Sequence, residues 1–143
     1  MTPDELYQAL IVEHDRAPHN CGPLPEATHS ATIDNPLCGD VVTVRLVVLP
    51  DDTIARVAFE GRGCALSRAA ASLMTTRVAG QPIAAATALA DRFERFVAEP
   101  ADAPIPDELG ELAAFRGVRA FRSRRSCATL AFHALVTAVR GRE

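Results

Sequence analysis

Apolar positions change their period along the chain, and those changes divide it into elements. Leu6, Leu10 and Ile11 form one stripe at helical spacing. Thr2 and Glu5 make a capping box ahead of it, Pro3 sits at the first helical position, and Pro18 ends it. The following HNCGPLPEA is a loop by its Gly and Pro content. Residues 28–33 read as a short strand. Residues 40–49 read as a longer, β-branched one with Val42, Val44, Leu46 and Val48 on one face. Pro50, Asp51 and Asp52 make a turn, and residues 54–60 return with Ala55, Val57 and Phe59 alternating against Arg56 and Glu60. Beyond Cys64 the period becomes helical. Residues 65–78 place Leu66, Ala69, Ala70 and Leu73 on one side, and Gly80 is the stop. Pro82 opens a helix to about residue 97, residues 107–114 make a short helix, and the last helix runs over 127–139. Strands followed by helices predict an α+β fold, a small antiparallel three-stranded sheet with helices packed on one face.

The chain has 143 residues, which fits a single domain over 1–143. With 48% hydrophobic and 23% charged residues it has the balance of a globular protein and can bury a core without staples. All 15 basic residues are arginine. Without lysine, a Schiff-base or pyridoxal-phosphate enzyme and a P-loop are excluded. A net charge of −3 argues against a nucleic-acid or anionic-membrane binder. No stretch reaches the roughly 20 apolar residues of a membrane span, and the N-terminal stretch carries early acids instead of a basic-then-apolar signal. A cytoplasmic location is therefore expected, where thiols stay reduced. Cys21, Cys38, Cys64 and Cys127 are then free, reactive or metal-bound rather than paired in disulfides.

Cys38, Cys64 and Cys127 each fall at a predicted boundary. Cys38 lies in a Pro/Gly loop before the long strand, Cys64 in a glycine-flanked loop before a helix, and Cys127 opens the last helix. Helix starts present unsatisfied N–H groups and the positive end of the dipole, which favour a thiolate. Thiolates gathered this way prefer zinc or iron–sulfur species. Asp40, two residues beyond Cys38, supplies a fourth group, and tetrahedral zinc accepts three sulfurs and one carboxylate oxygen. Arg124 and Arg125, just ahead of Cys127, are placed to offset the excess negative charge. No CxxC pair occurs, so spacing alone leaves open three buried cysteines acting as small hydrophobes.

The strings NPLCGD (35–40), GRGCALSRAAAS (61–72) and SCATLAFHAL (126–135) resemble the three cysteine motifs of the U-type iron–sulfur assembly proteins. LYQALIVEHDRAPHNCGPL resembles their N-terminal helix and loop. Within that IscU/NifU superfamily the chain is most similar to the SufU type. ELGELAAFRGVRAFRSRRSCATL resembles the SufU-specific insertion, and Ser126 stands where the scaffold type has histidine and the SufU type commonly lysine. The resemblance implies an IscU/SufU-like fold with Cys38, Asp40, Cys64 and Cys127 as zinc ligands and Cys38 as the sulfur acceptor. Arg124 falls where SufU-like proteins carry a basic residue. The implied function is sulfur transfer in iron–sulfur cluster assembly, from a SufS-type cysteine desulfurase and alongside other iron–sulfur assembly proteins. The alternative is a scaffold that assembles and hands on a transient [2Fe–2S] cluster.

The remaining candidates have plainer readings. Cys21 is an incidental loop thiol. His14 lies near the C-terminal end of the first helix, where a cation is mildly favoured, and none of His14, His19, His29 and His133 is expected at the metal. Ser67 and Ser72 lack the base of a catalytic triad, and Ser67 is expected to hydrogen-bond locally. Arg116, Arg119, Arg122, Arg124 and Arg125 read as a docking surface for an acidic protein partner.

Overall fold

A computed structural model describes residues 2–37 and 39–140. Helix α1 spans Pro3–Arg16 and begins with the predicted capping box, both reciprocal Thr2–Glu5 bonds being made. Its inner stripe is Leu10, Ile11 and His14, whereas Leu6 is exposed. Strands β1 (His29–Asn35), β2 (Asp40–Val48) and β3 (Ile54–Arg62) form an antiparallel sheet in the order β1-β2-β3. Strand β2 alternates as expected, with Val42, Val44 and Leu46 buried.

Strand β3 departs from simple alternation. Val47 faces Arg56 but Val48 faces Ile54, so Ala55 is an extra residue in a bulge and is exposed. Ile54, Val57 and Phe59 point inward instead. The free edge of β3 is closed by residues 20–22: the Gly22 N–H donates to Phe59 O at 2.9 Å and the Phe59 N–H to Asn20 O at 3.0 Å.

Helices α2 (Ala65–Val78) and α4 (Arg122–Arg140) cover the apolar face of the sheet. Buried Ala69, Ala70 and Ala71 leave α2 slim enough to lie close. Helix α3 (Ile83–Ala98) packs outside α4, and Phe93 centres an aromatic cluster 4.7 Å from Phe132 and 5.8 Å, edge-on, from Phe115.

Two helical boundaries are corrected. The helix expected over 107–114 is a 3-10 segment, Asp107–Ala120, kinked at Gly110, where φ is +55°. Helix α4 begins at Arg122, five residues before Cys127, so Cys127 lies inside the helix and not at its N-terminus. The positive end of a helix dipole therefore lies at Cys64, the N-cap of α2, and not at Cys127.

Candidate metal centre

One end of the sheet brings three donors together. Asp40 opens β2 and is buried at 4% exposure, and its Oδ1 accepts the Cys64 N–H at 3.2 Å. That bond ties the start of β2 to the start of α2. The Cys64 thiol makes no cap bond of its own, which leaves its sulfur for other work. Ser67 Oγ donates to Cys64 O at 3.1 Å and lies 4.0 Å from Cys64 Sγ, as the local-bond reading expects. Cys127 is buried in the second turn of α4, with Sγ 3.8 Å from Ser123 O. The carboxylate oxygen of Asp40 and the sulfurs of Cys64 and Cys127 all lie within 4.8 Å of one another.

Two soft sulfurs and a carboxylate, largely withdrawn from water, fit a thiophilic ion. Tetrahedral zinc spaces its sulfurs roughly 3.8 Å apart, so side-chain rotations of about an ångström would close these donors on a metal. Cys38 lies outside the described residues.

Gly63 makes room for this arrangement. A Cβ there would stand 2.5 Å from Ser67 Oγ and 2.7 Å from Asp40 Cγ. Gly63 has no positive φ, so the requirement is for space and not for backbone freedom. The two glycines flanking Arg62 were the available signal, but they read equally well as an ordinary loop.

The arginines divide. Arg119 is 4% exposed and structural: it donates to Arg116 O (3.1 Å), Ala103 O (2.9 Å) and Ala101 O (2.9 Å), and lies over the Phe96 ring. It is thereby removed from the expected docking surface. Arg116 pairs with Asp4 and lies over Tyr7. Arg125 donates to Arg119 O at 2.5 Å. Arg124 is exposed at the rim of an apolar groove of about 480 Å³, lined by Ile11, Val12, Leu66, Val118 and Phe121 among others.

His14 is also corrected. It is buried against Ser72, Nδ1 to Oγ 2.7 Å, and burial first, then the neighbouring His19, holds its pKa below the ordinary 6.5. It is a neutral packing residue and not a helix-end cation. His133 faces Glu94 on the surface, and Cys21 is an exposed thiol beside β3. Among the described residues, no helix is long and apolar enough to cross a membrane.

The chain matches the NifU-like N terminal domain over residues 6–128. It belongs to that family. Similar to this NifU-like domain are the iron–sulfur cluster assembly scaffold protein IscU of Streptococcus pyogenes serotype M1, 38% identical over 96% of this chain and 84% of the relative, and the zinc-dependent sulfurtransferase SufU of Bacillus subtilis (strain 168), 35% identical over 92% and 88%. Among solved structures, the N-terminal region of a nitrogen-fixing NifU-like protein from Brucella abortus superposes with a TM-score of 0.80 at 29% identity, over 96% of this chain and 94% of that one. The α+β fold expected from the resemblance is the fold observed.

Proposed function

We propose that this protein is a zinc-dependent sulfur carrier of iron–sulfur cluster assembly, which takes sulfur at Cys38 from the persulfide of a SufS-type cysteine desulfurase. The observation that carries the proposal is the convergence of Asp40, Cys64 and Cys127 within 4.8 Å from three separate elements. With Cys38, two residues before Asp40, they would complete a four-ligand set. Bound zinc would hold the thiols deprotonated and shield them from oxidation.

The division of labour follows from the backbone. Cys64 occupies the N-cap position of α2 and Cys127 sits inside α4, so each sulfur is carried on backbone fixed by a helix. In sequence, Cys38 falls between β1 and β2 and directly precedes Gly39, whose φ is +75°. As acceptor, the Cys38 thiolate attacks the outer sulfur of the donor persulfide. The bond between the donor's two sulfurs breaks, its cysteine leaves as thiolate, and Cys38 becomes the persulfide with no net oxidation.

The groove beside the centre supports a docking role for the same partner. Arg124 at its rim is exposed and has no acidic partner among the described residues, and the same is true of Arg122 two residues before it in sequence, so a desulfurase segment with an apolar anchor and flanking carboxylates fits there.

Scaffolding is the second reading, favoured by the 38% identity to a relative named as a scaffold. The same donors suit a [2Fe–2S] unit. One sample separates the two. After incubation with desulfurase and cysteine, a colourless zinc protein carrying an added sulfur of about 32 Da on Cys38 supports the carrier. A brown protein that passes on a cluster with no persulfide at Cys38 overturns it.

A further inference from the structure

Asn35 is the last residue of β1, buried at 5% exposure, and it pairs across the sheet with Asp40. Its backbone carbonyl accepts the Gly39 N–H at 2.8 Å. Its side chain faces two ways. Oδ1 accepts the Leu37 N–H at 3.1 Å, and Nδ2 donates to Ser126 Oγ at 2.9 Å. Ser126 in turn donates its hydroxyl proton to Ser123 O at 3.2 Å. The Leu37 N–H can only donate, which fixes the amide orientation, and the Ser126 proton is already engaged, which leaves its oxygen to accept. The chain of bonds is consistent from end to end.

Its ends are the point. Asn35 is opposite Asp40, and Ser126 is the chain neighbour of Cys127. The bond thus bridges the sheet end that carries one donor and the helix that carries another. Asp40 is also held to Cys64 through the Cys64 N–H. Side-chain bonds made beside the donors therefore tie α2 to β2 and α4 to β1, which pairs with β2 at Asp40.

We propose that Asn35 and Ser126 are the positioning pair of the metal centre: their hydrogen bond sets the reach between Asp40 on the sheet and Cys127 on α4, and so governs how firmly the site holds its metal. The inference rests on the metal-binding reading above. It assigns Ser126 a role as acceptor for a buried amide, which an apolar residue in its place would leave unpaired.

The test uses the full chain loaded with zinc or with cobalt(II). Release of zinc to a chromophoric chelator is timed for wild type, Ser126→Ala, Ser126→Thr and Asn35→Ala. The cobalt absorption bands report ligand geometry, and thermal unfolding of the metal-free proteins reports the fold. Release roughly 10-fold faster in Ser126→Ala, the lower end of effects beyond the ligands themselves, is expected together with shifted cobalt bands. Ser126→Thr keeps the oxygen and should release zinc at the wild-type rate. Asn35→Ala should behave like Ser126→Ala or worse. Wild-type release and unchanged bands in Ser126→Ala would overturn the assignment. So would faster release matched by an equal loss of stability in the metal-free protein, since the bond would then be merely structural. A wild-type protein that binds neither zinc nor cobalt sinks the metal-binding reading itself, and with it this inference. Wild-type binding with an indifferent Ser126→Ala sinks only the inference.

Discussion

Replacing Gly63 by alanine adds one methyl group at the most crowded point of the site. The new carbon would stand 2.7 Å from Asp40 Cγ and 2.9 Å from its Oδ1. Carbon atoms in contact sit about 3.5–4.0 Å apart, so roughly 1 Å of movement is demanded. The Asp40–Cys64 N–H bond, at 3.2 Å, is already at the long end of the range and does not survive another ångström. Metal ligands are placed to within about 0.2 Å, so Asp40 is displaced from the donor set. Zinc affinity should fall roughly 10- to 100-fold, or about 1.4–2.7 kcal/mol. The metal-free protein should lose about 1–3 kcal/mol from overpacking. Chelator competition measures the first effect and thermal unfolding of metal-free protein the second. Gly117→Ala is the control, because its Cβ would meet nothing within 4 Å. Ser67 Oγ is nearer still, at 2.5 Å, so Gly63→Ala/Ser67→Ala is the discriminating variant. If Gly63→Ala bound zinc as wild type does, or if the double variant regained full affinity, the steric argument about Asp40 would be refuted.

Arg119→Met removes a buried guanidinium that satisfies three carbonyls; it should cost about 3 kcal/mol and lower the melting temperature by roughly 10 °C while leaving metal content unchanged. His14 has a depressed pKa in the fold, so its contribution is intact above about pH 6.5 and is lost as pH falls through the unfolded value towards the folded one. Metal-free His14→Gln should therefore lose less stability than wild type between pH 7.5 and pH 5.5, and parallel losses would remove His14 from the account. Arg122→Glu/Arg124→Glu should weaken stimulation of a desulfurase at low salt and converge with wild type as salt rises, because exposed charges are screened over about 8–10 Å. Equal stimulation at both salt levels would exclude these two exposed arginines from the interface.

The parts of the fold that were legible in the sequence have a local cause. The Thr2–Glu5 box, the alternation of β2 and the bounds of α2 are set by neighbours a few positions away. The bulge at Ala55 escaped because an inserted residue leaves the run of apolar letters plausible in either register. The start of α4 escaped because Arg122, Ser123, Arg124, Arg125 and Ser126 present no apolar stripe; its first turn is mostly exposed, with Arg125 bonded to Arg119 O. Arg119 looked like surface because its acceptors at 101 and 103 meet it only once the loop folds back. At the site, residue types offered candidate donors and the family resemblance implied them as ligands, but the convergence of Asp40, Cys64 and Cys127 and the space left by Gly63 depend on how the sheet meets α2 and α4.

The docking of α4 across β1 and β2 also imposes an order in time. During synthesis Asp40 and Cys64 emerge early, whereas Cys127 follows 63 residues after Cys64 and arrives with the helix that covers Val42, Val44 and Leu46. Until α4 seats, the nascent chain exposes that apolar sheet face and offers an ion a partial set of donors. An ion that binds only the closed arrangement adds its binding energy at that moment and pulls the docked state forward. If the proposed centre binds zinc, metal occupancy would then mark maturation: a chain holding its ion would be one whose folding has run to completion.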